Sequence, residues 1–372
     1  MRDVPQPAWD ALDGVAGFPF LSWAWLDALE RTGCVGEDAG WVPHHVTLWE
    51  DGRMVAAAPA YLKDNSEGEF VFDYAWANAA HRAGLRYYPK LCVAVPFTPA
   101  TGARLLVGRS TDRVRLGPVF ATALRRLVEE HGISSAHVLF PREDEALLLS
   151  GAGLSHRYGV QFQWKNAGYG SFDDFLGRFP SKRRNQIRRE RRSMQDQRIE
   201  IQTLRGSDIT PEVVDAMYRF YLSTVDKFTW GRRYLNRAFF EEACVAVPGV
   251  EIVLAQGPER RALAGAFNLA GERVLYGRYW GAENGRHEPE RPFLHFNVCY
   301  YHSIDDCITR GLSSFEPGAG GSHKVARGFD PTITHSVHHI AVPELDEAIR
   351  AFLARERAMI RRAVDEGGDA FR

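Results

Sequence analysis

A proton acceptor, a carboxylate and two cations are concentrated between Glu316 and Arg327, where the chain reads EPGAGGSHKVAR. His323 or Glu316 can accept a proton, directly or through water. Lys324 and Arg327 can hold a phosphate or carboxylate, or stabilise charge that develops during a reaction. Glycines at 318, 320 and 321, with Gly328 beyond, let the backbone turn tightly enough for these side chains to converge. A helix, a strand and a glycine-rich loop loaded with His, Lys and Arg make a place to hold a charged substrate. The competing reading is a polar surface loop with incidental histidines, and the density of capable side chains weighs against it. No cysteine or serine stands in a nucleophile motif, so a covalent acyl-enzyme is not expected. His295, His302 and His323 lack the tight spacing of metal ligands, and no metal is expected.

Neighbouring elements must hold that loop. Phe296, Cys299, Tyr300, Ile304, Cys307 and Ile308 form one stripe, which predicts a helix from His295 to Arg310 closed by Gly311. His295 and Tyr300 ride on it as candidate substrate-binding residues. A short strand near 313–315 leads into the loop, Asp330-Pro331 signals a turn, and a strand is expected through Ile340.

Further back, a helix is expected over Phe18–Glu30, and strands over 42–49 and 54–62 flank a hairpin signal at Asp51-Gly52. A strand over 69–76, an irregular aromatic stretch over 77–101, a helix over 114–131 and a strand over 136–140 complete the first half. The second half repeats the order with strands at 250–255, 263–270 and 273–280, then the helix and strand before the loop. GEFVFDYAW and GERVLYGRYW occupy equivalent places, as do SSAHVLFP and LSSFEPGA, which predicts two copies of one α/β unit. Where the second copy has its His/Lys/Arg loop the first has PREDEALLLSGAG, so one active site per chain is expected.

Between the halves, residues 178–198 carry nine basic and two acidic residues in a chain whose net charge is −1. A helix from Ser181 is predicted, and Lys182, Arg184 and Arg188 are its expected phosphate holders. The alternative is a solvated charged face. Further helices are expected over 212–225, 235–246 and 344–364.

At 372 residues two domains are expected. They are 1–167 and 168–342, the second bearing the active site, followed by a terminal helix over 343–372. Near-zero net charge gives no global attraction to nucleic acid or membrane, and DNA is not an expected partner. Five scattered cysteines without a CxxC pair point to reduced thiols in a cytoplasmic protein. No apolar run resembles a signal peptide or a membrane span.

The chain resembles the FemAB-like group of the GNAT superfamily, tandem-domain N-acyltransferases of peptidoglycan biosynthesis or recognition. The resemblance covers nearly the whole chain. It is carried by PFLSWAWLDALE, YYPKL, VPFTPATGARLL and SKRRNQIRRER, and most specifically by LHFNVCYYHSIDDCITRGLSSFEPGAGGSHKVARGFDPTITHSVHH. It implies an α+β fold of tandem duplicated GNAT-like domains, with mixed, mostly antiparallel sheets flanked by helices. It also implies transfer of an acyl or aminoacyl group from acyl-CoA, an acyl carrier or aminoacyl-tRNA to an amine. The acceptor would be a small-molecule, lipid-linked or cell-envelope amine, reached by peripheral membrane contact, with no tightly bound cofactor.

In Fem-type relatives a basic segment resembling Lys182–Arg188 opens the second domain and contributes to phosphate binding, and a lysine comparable to that in HKVARGF lies near the acceptor. The GNAT pyrophosphate pattern is absent before the 295–310 helix, where the chain reads GRHEPERPF. No helical arm for tRNA is evident, so tRNA is the less favoured donor. Two other readings stay open. One is a non-catalytic protein that binds a phosphate-bearing wall or lipid fragment; the other is RNA binding through 181–192, with steep salt dependence.

Overall fold

The computed structural model describes residues 1–109, 111–227, 232–283 and 291–366. Most of GRHEPERPF, and part of the stretch between the helices expected over 212–225 and 235–246, lie outside these residues. The chain divides into two compact units: Met1–Gln161 together with the chain from Pro331 onward, and Phe162–Asp330. It leaves the first unit within the strand Ser155–Lys165 and returns within the strand Asp330–Ile340.

These borders differ from the expected 1–167, 168–342 and 343–372, and the returning strand is the reason. Ser336 to Ile340 pair antiparallel with Leu139 to Ser135 of the first unit. The terminal helix Pro343–Asp365 then buries Leu345, Ile349 and Leu353 with Trp76, Ala80 and Tyr87. The loop that carries His323 therefore ends the second unit, and the strand after it belongs to the first.

In the first unit Val42–Pro43, Ala60–Lys63, Lys90–Val93, Ser135–Leu139 and Asp330–Ile340 are successive neighbours in one sheet. Only Lys90–Val93 and Ser135–Leu139 pair in parallel among the registers described here. A smaller sheet joins Val46–Glu50, Arg53–Ala58 and Leu106–Val107. Its hairpin turns at Asp51-Gly52, where φ is 49° and 73°, the paired positive values that a two-residue turn between twisted strands requires.

The expected strand over 69–76 is absent; the chain forms the helix Tyr74–Arg82 instead. Glu69 and Asp73 turn inward to the Lys90 ammonium, at 2.9 and 2.6 Å, and burying that cation with its partners outweighs the β-rich composition. The stretch over 77–101 contains most of this helix and the strand Lys90–Val93. GEFVFDYAW and GERVLYGRYW are therefore not equivalent. SSAHVLFP and LSSFEPGA both do form strands, Ser135–Leu139 and Ser314–Glu316, each following a helix.

In the second unit the order runs from the end of Ser155–Lys165 through Ser314–Glu316, Val274–Ala282, Ala262–Ala270 and Val250–Gln256 to Glu200–Arg205. Pairing is antiparallel except between Val274–Ala282 and Ser314–Glu316. One helix, Pro211–Val225, packs so closely on this sheet that a Cβ on Gly281 would lie 1.7 Å from the Phe220 carbonyl oxygen. The basic helix Ser181–Asp196 and the helical segment Leu294–Thr309 enclose a core with Met194, Val253, Ala264, Leu294 and Val298. The sheets are mixed and mostly antiparallel, flanked by helices, as expected.

Candidate active site

The site begins where two parallel strands part. Val274 to Tyr276 pair with Ser314 to Glu316. Pro317 and the left-handed glycines 318, 320 and 321 then turn the chain away, while the neighbouring strand runs on to Ala282. That strand carries a bulge: Phe267 pairs with Tyr279 and Asn268 with Gly277, leaving Arg278 as the extra residue. A bulge re-aims its side chain, and Arg278 lines a cavity of about 280 Å³ together with Trp280, the glycine turn, His295 and Tyr300. Tyr300 sits in a π-helical turn, Asn297–Tyr301, inside the segment Leu294–Thr309. Such turns interrupt the regular helical repeat and recur at functional sites.

His323 occupies the 3₁₀ turn Ser322–Arg327, with its Nε2 3.0 Å from the Tyr300 hydroxyl. It lines the 280 Å³ cavity and also an open cleft of about 670 Å³. Gly321 makes this placement possible. Its φ is +90°, and a Cβ there would lie 2.5 Å from His323 Cε1. Burial, then the charges of Lys324 and Arg327, hold the His323 pKa below the ordinary 6.5, so the imidazole is neutral near pH 7. Burial raises the Tyr300 pKa, and the phenol keeps its proton. His295 lies 4.5 Å from Trp280 and 5.1 Å from Tyr300, ring centre to ring centre, and burial lowers its pKa to about 4.

Lys324 is 3% exposed and donates to the carbonyls of Gly318 at 2.6 Å and Ala319 at 3.3 Å, which ties the glycine turn down. Burial lowers its pKa to about 8. Arg327 is placed otherwise than as an open anion holder. Its guanidinium stacks 3.3 Å from the Phe296 ring centre and meets both Glu190 carboxylate oxygens at 3.4 Å. It also donates to the His323 carbonyl at 3.1 Å, so it braces the turn that carries His323. Glu316 lines neither cavity; Gln163 donates to it at 2.9 Å.

The basic helix divides its charges. Lys182 and Arg183, with Gln186, line the 670 Å³ cleft beside His323. Arg184 donates to the Phe179 carbonyl and the Ser181 hydroxyl, each at 3.0 Å. Arg188 pairs with Asp173 at 3.2 Å and lines a separate cleft of about 540 Å³ with Arg191 and Arg192. Ser181 is the first helical residue, and the cap position belongs to Pro180. The structure thus gathers His323, Lys324, His295, Tyr300 and Lys182 around two cavities that share His323, and sets Glu316, Arg327, Arg184 and Arg188 to other contacts. Sequence reasoning missed Arg183, Asn268, Arg278 and Trp280. Asn268 and Arg278 had a signal, each being a polar interruption of an apolar or aromatic strand. Among the described residues no group of three His, Cys, Asp or Glu could hold a metal ion, and no helix is long and apolar enough to cross a membrane.

Residues 1–370 match the family described as peptidoglycan biosynthesis/recognition, FemAB-like. No curated protein matches the chain in sequence. Among solved structures, L-PGS from Bacillus licheniformis is similar at 8% identity and a TM-score of 0.50, covering 88% of this chain and 95% of that one. FemX is similar at 11% identity and a TM-score of 0.52, covering 93% and 97%. The C-terminal domain of a putative lysylphosphatidylglycerol synthetase from Agrobacterium fabrum has 11% identity and a TM-score of 0.52, covering 83% and 88%. These likenesses are of fold alone.

Proposed function

The chain belongs to the FemAB-like family of peptidoglycan biosynthesis and recognition proteins, and on that premise we propose that it is an amide-forming transferase. It moves an acyl or aminoacyl group from an activated, phosphate-bearing donor to the amine of a cell-envelope, lipid-linked or small-molecule acceptor. The observation that carries this reading is His323, neutral near pH 7, bonded to Tyr300 and common to both cavities.

Each residue then has a task. Lys182 and Arg183 face the donor's phosphates in the open cleft. In the tautomer whose Nε2–H donates to the Tyr300 oxygen, Nδ1 is left as the base. As the amine nitrogen attacks the donor carbonyl, Nδ1 takes its proton, and the leaving group receives that proton when its bond to the carbonyl carbon breaks. The buried Lys324 ammonium supplies a positive field to the carbonyl oxygen as it turns anionic, in a space where water screens little. The reading is of a cytoplasmic enzyme that meets lipid-linked acceptors by peripheral contact.

The test is product formation. The purified protein is incubated with acyl-CoA or aminoacyl-tRNA pools and with an amine-bearing wall precursor, an aminophospholipid or a free diamine, and new amides are sought by mass spectrometry. An amide that forms with one donor class and disappears in Lys182→Glu, Arg183→Glu supports the reading. Tight retention of a phosphate-bearing fragment without any product would make this a binding protein.

A further inference from the structure

Of the two cavities that meet at His323, the smaller has a one-sided charge. Its described lining holds two cations, Lys324 and Arg278, and no aspartate or glutamate. His295 and His323, also in the lining, are neutral at pH 7. Lys324 donates to two carbonyl oxygens, which carry no net charge and so do not neutralise it. Arg278 is acted on by Tyr279 and by the carboxylate of Glu316, which lies outside the lining, so the positive excess at the cavity is that of Lys324.

Asn268 adds a side-chain amide that is 2% exposed, one register step from the bulge that carries Arg278. Trp280 and Tyr300 are also in the lining, and aromatic rings alone would suit an ammonium. The buried Lys324 charge, with Arg278 beside it in the lining, outweighs that attraction. At about 280 Å³ the cavity has the volume of roughly nine waters, enough for a short acyl group.

Resting on the transferase reading, we propose that the acyl group entering this cavity carries a carboxylate, held by Arg278 and Asn268 in the positive field of Lys324, and that an ammonium-bearing group such as lysyl is excluded.

Two probes of matched length test this on the whole protein: succinate, and the diamine putrescine, each followed by ligand-observed NMR titration. Wild type should bind succinate at least tenfold more tightly than putrescine. Asn268→Asp, close to isosteric and checked for folding by its circular dichroism, should weaken succinate at least tenfold and narrow or invert the preference. Arg278→Met should weaken succinate without improving putrescine to the same degree. Equal binding of both probes, preference for putrescine, no binding of either, or an unchanged preference in Asn268→Asp overturns the proposal. The transferase reading fails separately. Succinate selectivity with transfer untouched by His323→Ala would remove the catalytic reading alone, while putrescine preference with transfer abolished by that variant would remove this one alone.

Discussion

A histidine held below its ordinary pKa beside a lysine held near 8 fixes how activity must follow pH. The base works only when unprotonated, so the rate rises as pH climbs through the lowered His323 value, with its acid limb below 6.5. Lys324 is charged below about 8 and loses its field above it, which gives an alkaline limb there. A kcat/KM profile should therefore be bell-shaped, and Lys324→Met should remove the alkaline limb. Removing that cation also moves the acid limb up toward 6.5, because its charge helps depress the His323 value. His323 and Lys324 were legible in the sequence because glycines and capable side chains crowd one short stretch. Arg327 was legible as a cation but not in its task, since its partner Glu190 lies 137 residues away. Nothing in local spacing announces such a pair. Removing one member leaves the other charge buried, so Glu190→Gln should cost about 3–5 kcal/mol, read as a lower denaturation midpoint.

The basic helix teaches the same lesson over a longer element. Its charge density was plain, and it suggested one anion gripped by Lys182, Arg184 and Arg188. The fold relieves part of that repulsion with acids from elsewhere, Asp173 for Arg188 and Asp305 for Arg191, while Glu190 on the helix itself is turned to Arg327. Helical periodicity then sends Lys182, Arg183 and Gln186 to the cleft at His323, and Arg188 and Arg192 to another. Lys182→Glu, Arg183→Glu should raise the donor's KM about ten- to hundredfold, the loss of one or two charge-assisted contacts. Arg188→Glu should leave KM within about threefold, as expected of an exposed pair in a separate cleft. Initial rates against donor concentration separate the two. The helix over 295–310 was read nearly to the residue from its stripe and its closing glycine. The π turn inside it was not, because an inserted residue leaves the apolar pattern readable on both sides.

Across the whole chain, the class of fold was legible and the borders were not. Hairpin, helix and strand signals are local, and the Asp51-Gly52 turn was read correctly on that basis. Membership of the strand Asp330–Ile340 depends on pairing with Ser135–Leu139, nearly two hundred positions earlier, so a boundary drawn by chain order fell beyond it. The terminal helix follows that strand into the first unit. Leu353, fully buried among Trp76, Ala80 and Tyr87, should cost about 2–5 kcal/mol when replaced by alanine, measured by chemical denaturation. Transfer chemistry in the second unit should survive in whatever fraction stays folded. The central claim concerns a single side chain, and one comparison tests it most directly: single-turnover rates and donor affinity of wild type and His323→Ala with the same donor and amine. The account predicts a rate lower by about two to four orders of magnitude with donor affinity nearly unchanged; a variant that turns over at the wild-type rate would contradict it.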